Sequence, residues 1–177
     1  MSVKTTYPFR VPMYVVKCAD WENKKQKLLG LVDFEDPECM SGQHYSDYHK
    51  YKDNPPYKEQ FIETLKDELV SFGQTAEADL NIRGVWCQRY AKSEFMGVHN
   101  HGSLGYSAIL YAEFTSEHAA TEFYAPFNNF IKGSVISHRP EVEEGDLLIF
   151  PSALMHTAVP NTSSECRTIF SFNMTLS

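Results

Sequence analysis

From Ile82 to its end the chain is a succession of short apolar runs divided by turn residues, and this pattern restricts the fold more than any other feature. The runs cover residues 85–91, 106–114, 121–124, 134–137, 146–150, 156–159 and 167–175. Most are too short for a helix, and Val, Ile, Phe and Tyr recur in them, residues that suit a pleated surface. Gly97, Gly102, Gly105, Gly133, Pro140, Gly145 and Pro160 punctuate them. Many short strands at close spacing pack as a sandwich or barrel. The expected fold is mainly β with flanking helices, and the best single architecture is a double-stranded β-helix, a cupin-like jelly roll.

The first 80 residues read differently. Residues 11–17 form a strand pattern, and Trp21 to Leu29 reads as a helix ending near Gly30. A polar loop rich in tyrosine runs from about Asp33 to Tyr57, with Tyr45, Tyr48 and Tyr51 inside it. Tyr57 to Phe72 then reads as one amphipathic helix. Phe61, Ile62, Leu65, Leu69 and Phe72 recur at three- and four-residue steps, and Gly73 is placed to cap it. With 177 residues the chain buries a core without disulfide or metal staples. The expected organisation is a single domain, 1–177, in which 1–80 supports a jelly-roll core at 81–177.

The formal net charge is −7, which argues against a nucleic-acid surface spread over the molecule. The one lysine-rich stretch, Trp21 to Lys27, is short and mixed in sign, as a solvated helix face would be. No apolar run approaches the length of a membrane span. Four cysteines, at 18, 39, 87 and 166, are scattered and form no Cys-x-x-Cys pair. They read as free structural thiols, which fits a reducing, cytoplasmic setting. An exposed strand edge would allow a homodimer.

Within this β region the histidines are arranged in two parts. His99-Asn100-His101 is a doublet at i and i+2, and His156 follows 55 residues after His101. In an extended segment, residues i and i+2 share a face, so His99 and His101 can converge on one ion. His156 follows a Gly-Asp turn and a buried Leu-Leu-Ile-Phe run, at the start of a later strand. A lone histidine in such a pattern is more often a core or surface residue than a ligand; the doublet with a distant third reverses that balance. His44, His49, His118 and His138 have no comparable context and read as surface or loop residues. Arg167 follows His156 with ten residues between them and opens a largely apolar strand. Its planar fork matches a carboxylate when the side chain faces inward.

The segment Gly145-Asp-Leu-Leu-Ile-Phe-Pro-Ser-Ala-Leu-Met-His-Thr-Ala-Val-Pro-Asn161, followed by Arg167-Thr-Ile-Phe-Ser-Phe-Asn173, resembles the C-terminal signature of Fe(II)/2-oxoglutarate-dependent oxygenases. It is most similar to a small group found in bacteria and tailed phages, for which the setting would be the host cytoplasm when phage-encoded. Tyr90 to His99 resembles the tyrosine-to-histidine spacing of prolyl-hydroxylase-like members. Ser107 to Tyr111 and Phe123 to Pro126 resemble two further strands of the small group. The resemblance covers Trp86 to Asn173.

The resemblance implies Fe(II) as cofactor and 2-oxoglutarate as co-substrate, used to hydroxylate an unidentified small-molecule or peptidyl substrate. His99 would be the first metal ligand, His156 the distal one, and Arg167 the partner of the far carboxylate of 2-oxoglutarate. Tyr90, Ser107 and Tyr111 would hydrogen-bond the same co-substrate or, with equal weight, serve as core strand residues. The superfamily's usual motif is His-x-Asp/Glu, whereas this chain has His-x-His. Three ligand sets follow: all three histidines, a carboxylate from Glu113 or Glu122, or His101 bound with His99 behind it. The three-histidine set needs no extra geometry. Two rivals stand beside the oxygenase: a three-histidine cupin-type metalloenzyme, whose motif lacks its second glycine here, and a non-catalytic jelly-roll binding or virion-associated protein.

Overall fold

The computed structural model describes Lys4, residues 10–40 and residues 42–177. Its frame is two antiparallel sheets. The larger contains β1 (Tyr14–Lys17), β2 (Tyr45–Ser46), β3 (Leu80–Tyr90), β5 (Tyr106–Glu113), β8 (Asp146–Pro151) and β10 (Arg167–Leu176) in the order β1-β8-β5-β10-β3-β2. The smaller contains β4 (Met96–His99), β6 (Glu122–Tyr124), β7 (Ser137–His138) and β9 (Met155–Ala158) in the order β4-β9-β6-β7.

The central strands of the large sheet, β5, β8 and β10, are buried on both faces, which explains why they read as near-continuous apolar runs. Side chains alternate across each strand. One face carries Val85, Cys87, Leu110, Leu147, Ile149, Phe170 and Phe172, all in the cluster that also holds the helical residues Leu28, Phe61, Leu65, Leu69 and Phe72. The opposite face carries Tyr90, Ile109, Tyr111, Leu148, Phe150 and Ile169, packed against Phe123 and Ala158 of the small sheet. The helices therefore buttress one face, and the other faces the small sheet and the histidines.

The helices on the buttress are α1 (Trp21–Leu29), α3 (Lys58–Thr64) and α4 (Lys66–Ala76). A short helix, α2 (Tyr48–Tyr51), and a 3-10 turn (Pro37–Cys39) occupy the tyrosine-rich segment. The continuous helix expected over 57–72 is two helices broken at Leu65, whose backbone sits at φ −103°, ψ 16°. The apolar stripe survives the break because all of its members meet the same sheet face; this periodicity records burial, not backbone continuity. Gly73 lies inside α4, and the cap is Glu77 in the left-handed conformation at φ 52°. The amino-terminal region also supplies strands: β1 pairs with β8, and β2 pairs with β3.

Two glycines are required where they stand. Gly145 turns into β8 at φ 84°, and a Cβ there would lie 2.7 Å from the Trp21 ring. Gly105 precedes β5 at φ 81°, where a Cβ would meet the Met174 carbonyl oxygen at 2.2 Å. Each combines a conformation that L-residues avoid with a close approach that only glycine permits.

Candidate metal centre

β4 and β9 pair antiparallel with His99 directly opposite His156. Their rings lie 4.4 Å apart, centroid to centroid. His101 follows β4 after Asn100, and its amide donates to the Ser152 carbonyl, which holds the extended course past the strand end. Its ring is 5.2 Å from that of His99 and 5.1 Å from that of His156. Each of the three offers a nitrogen, and these atoms all lie within 4.8 Å of one another. His156 is buried and the other two are half-buried.

What makes the cluster more than three adjacent rings is the orientation of each. His99 Nδ1–H donates to the Gly97 carbonyl at 2.8 Å. His156 Nδ1–H donates to the Leu154 carbonyl at 2.8 Å. His101 Nδ1–H donates to the Asn173 side-chain oxygen at 2.8 Å. A carbonyl oxygen only accepts, so each Nδ1 carries the proton and each Nε2 keeps a lone pair. That is the tautomer a metal ion requires, fixed by the other ring nitrogen. Burial also holds His156 neutral, lowering its pKa to about 3, with His99 and His101 adding to the effect against the opposing Leu154 hydrogen bond. Burial likewise lowers that of His101.

His101 has the most elaborate support. Ser107 Oγ donates to Asn173 Oδ1 at 2.8 Å, lies 3.0 Å from His101 Nδ1, and reaches Ser152 Oγ at 2.9 Å. Ser107 is fully buried. Asn173 sits where β10 shifts register against β3, between Asn173 and Met174. Bulges of this kind re-aim a side chain.

The two carboxylates considered as ligands are engaged elsewhere. Glu113 accepts from Arg89 at 2.7 Å and from the Thr168 hydroxyl. Glu122 pairs with Arg139 at 2.9 Å. Among the described residues, the only cluster able to hold a metal is His99, His101 and His156.

Inside the three histidines a cleft narrows to about 20 Å³ between the sheets, lined in part by Gln88, Tyr90, Ile109, Thr121 and Ser171. Seating a dicarboxylic acid there requires its lining side chains to move. Beyond Tyr90 lies Arg167. It is 2% exposed, its guanidinium sits 4.8 Å from the Tyr90 ring centroid, and its two terminal nitrogens donate to the Ala119 and Val159 carbonyls at 2.8 Å each. No ion pair joins it to an acid among the described residues. Burial lowers its pKa, while Tyr90 and Tyr111 act in the opposite sense. A buried guanidinium with neutral partners alone is poised for an anion, because burying an unpaired charge is costly. Tyr111 is fully buried and donates to Thr121 Oγ1 at 3.2 Å, so it reaches the cleft through Thr121. Ser107 stands behind His101, and Tyr90 lines the cleft itself.

Outside the histidines a second, open cavity of about 570 Å³ is walled by the tyrosine-rich segment, β3 and the His99–His101 stretch. His44 belongs to it: the ring is buried, stacks on Tyr90 at 4.7 Å, and lies 3.3 Å from the Gln88 side-chain nitrogen. His118 is buried as well, within reach of the Glu165 carbonyl at 3.1 Å. Both read as surface residues from sequence because neither falls in a periodic pattern. Asn173, Ser152, Thr121 and Gln88 were equally silent. Only the alternation of β3 and β10 marks Gln88 and Asn173 as facing the histidines.

A family model described as "Putative 2OG-Fe(II) oxygenase" matches residues 84–173, half of the chain. No curated protein sequence matches. Several solved structures are similar. A 2OG-Fe(II) oxygenase family oxidoreductase from Burkholderia pseudomallei is 18% identical over 69% of this chain, with a TM-score of 0.55, and this chain spans 59% of its length. HygX from Streptomyces hygroscopicus, solved with nickel and 2-oxoglutarate bound, is 16% identical over 93% of this chain and 82% of its own, with a TM-score of 0.64. The viral collagen prolyl hydroxylase of Paramecium Bursaria Chlorella virus-1 is 13% identical over 91% of this chain and 94% of its own, with a TM-score of 0.60. At these identities the likeness establishes the double-stranded β-helix fold.

Proposed function

This chain belongs to the 2OG-Fe(II) oxygenase family, and on that premise we propose that it is an Fe(II)- and 2-oxoglutarate-dependent hydroxylase whose metal ligands are His99, His101 and His156. The observation that carries the reading is the arrangement of the three rings, each with Nδ1 tied to an oxygen, which leaves Nε2 free, and each offering a nitrogen within 4.8 Å of the others'. Imidazole nitrogen suits iron, and His99, His101 and His156 would hold it through three protein ligands. Iron held there would supply oxygen activation coupled to decarboxylation of 2-oxoglutarate, giving succinate and carbon dioxide.

The protein's own contribution is orientation and shielding. Arg167 pairs with the distal carboxylate of 2-oxoglutarate through its fork, with the Tyr90 ring as a platform beneath the guanidinium. The Tyr90 hydroxyl and, through Thr121, Tyr111 supply hydrogen bonds along the cleft. Ser107 acts through His101, together with Asn173. The apolar side chains Ile109, Ile169 and Ala158 keep water from the inner side of the histidines.

We also propose that 1–177 is a single domain with its jelly-roll core at 81–177, supported by the pairing of β1 with β8 and the core shared by helices and large sheet. Among the described residues no helix is long and apolar enough to cross a membrane, and all four cysteines are free. The free thiols favour a reducing, cytoplasmic setting. The substrate is a small molecule or a peptide segment, and the net charge of −7 gives nucleic acid no general attraction.

Anaerobic titration with Fe(II) and 2-oxoglutarate tests the assignment. The expected result is a weak visible metal-to-ligand charge-transfer band. Arg167→Ala should retain metal and bind 2-oxoglutarate roughly ten- to hundredfold more weakly, the worth of one charge-assisted pair. Metal binding with no such band would favour the cupin-type reading. Equal 2-oxoglutarate affinity in Arg167→Ala would remove that residue from its role.

A further inference from the structure

The 570 Å³ cavity outside the metal centre has a composition that says what it accepts. Among the described residues no Asp, Glu, Lys or Arg lines it, although these four types make up 22% of the chain. One wall is a chain of aromatic rings leading outward from the centre. The His101 ring lies 5.3 Å from Trp86, Trp86 lies 5.4 Å from Tyr48, and Tyr48 lies 5.4 Å from His49. The Trp86 indole is held in place, since its Nε1–H donates to the Gln88 side-chain oxygen at 3.1 Å and that oxygen also accepts from Ser171 at 3.3 Å. Around this wall stand amide side chains, Gln43, Asn100 and Asn173, which offer both donors and acceptors. A volume of this size suits a small-molecule site.

We infer that this cavity takes an uncharged, ring-bearing substrate, stacked along the Trp86–Tyr48 wall and read by neutral amide groups, and that it rejects phosphorylated or carboxylated relatives of the same ring. The inference rests on the oxygenase reading, since it names the substrate class of that centre. Two physical facts support it. Ring faces stack on aromatic side chains without needing charge. Beyond the metal end of the cavity, an anionic group would lose hydration with no Lys or Arg to replace it, which is costly.

The test uses the protein's two tryptophans. Trp21 lies away from the cavity, packed beside Gly145, so Trp21→Phe leaves Trp86 emission as a direct report of occupancy. The probes are matched pairs: thymidine against thymidine monophosphate, glucose against glucose phosphate, and N-acetylprolinamide against N-acetylproline. The expected result is a saturable change in Trp86 emission with at least one neutral ring, and binding of its charged partner weaker by about tenfold or more. Gln43→Arg, an exposed rim change, should narrow that gap by favouring the phosphate-bearing partner. A charged member that binds as tightly as its neutral twin, or a panel in which no neutral ring perturbs Trp86, overturns the inference. Emission reads occupancy with or without iron. A failed charge-transfer titration and a failed ring panel are therefore separate results.

Discussion

Three imidazoles make a metal site only when their lone pairs face one another, and in this chain three oxygen atoms decide that. Gly97 and Leu154 provide backbone carbonyls two residues before His99 and His156. Such local bonds follow the strand wherever it goes. His101 depends instead on Asn173, 72 residues away, with Ser107 and Ser152 behind it. Asn173→Ala should therefore weaken Fe(II) affinity about ten- to hundredfold, the usual scale for a ligand's supporting hydrogen bond, while leaving the fold intact. Isothermal titration under anaerobic conditions measures it, and unchanged affinity would show that His101 holds its position without Asn173. The histidine doublet, His156 and Arg167 were legible in the sequence because their residue types are rare in apolar strands. Asn173 was not, because an asparagine near a strand end is ordinary and its role depends on a register shift no local pattern announces.

At the scale of elements, β10 shows how one strand serves two purposes. Phe170 and Phe172 face the helices, while Arg167, Ile169, Ser171 and Asn173 share the face toward the centre. The strand is legible as a strand from its composition, but its uninterrupted burial conceals which face does what. The helical buttress bears on the site through these same strands. Phe61 is fully buried, with its ring 5.4 Å from Phe170 and 5.5 Å from Phe172. Phe61→Ala should cost about 3–5 kcal/mol by removing that packing, as read by urea denaturation. Gly145→Ala should cost at least about 1–2 kcal/mol for its left-handed backbone alone, before any displacement of Trp21. A variant as stable as the parent would show that the turn has room the close approach to Trp21 denies it. The helix break at Leu65 escaped the sequence because the apolar stripe of α3 and α4 runs through it in phase.

For the whole molecule, burial of neutral histidines sets a pH dependence. Burial lowers the His44 pKa to about 4, with smaller contributions from His49 and His99, and that of His156 to about 3. An unfolded histidine titrates near 6.5. Below that value the unfolded chain takes up protons that the folded apo-protein does not, so stability falls as pH falls. The slope is about 1.4 kcal/mol per pH unit for each histidine, continuing to the folded values. Asp47 opposes this in part, because burial raises its pKa and it gains a proton first in the folded state. Urea denaturation of the apo-protein at about pH 7 and about pH 5 should show the loss. His44→Phe should reduce the slope by one proton's worth, and an unaltered slope would show that His44 is not buried neutral. The β architecture was open to sequence reasoning because strand length and turn residues are local. The two cavities were not, since both are walled by residues far apart in the chain.

The central claim is that His101 replaces the carboxylate that most relatives would place there and binds the metal. Anaerobic Fe(II) titration of His99→Ala, His101→Ala and His156→Ala tests it most directly. The account predicts that all three lose metal affinity to a similar degree, each by far more than Asn173→Ala. Parental affinity in His101→Ala, with loss in the other two, would contradict it.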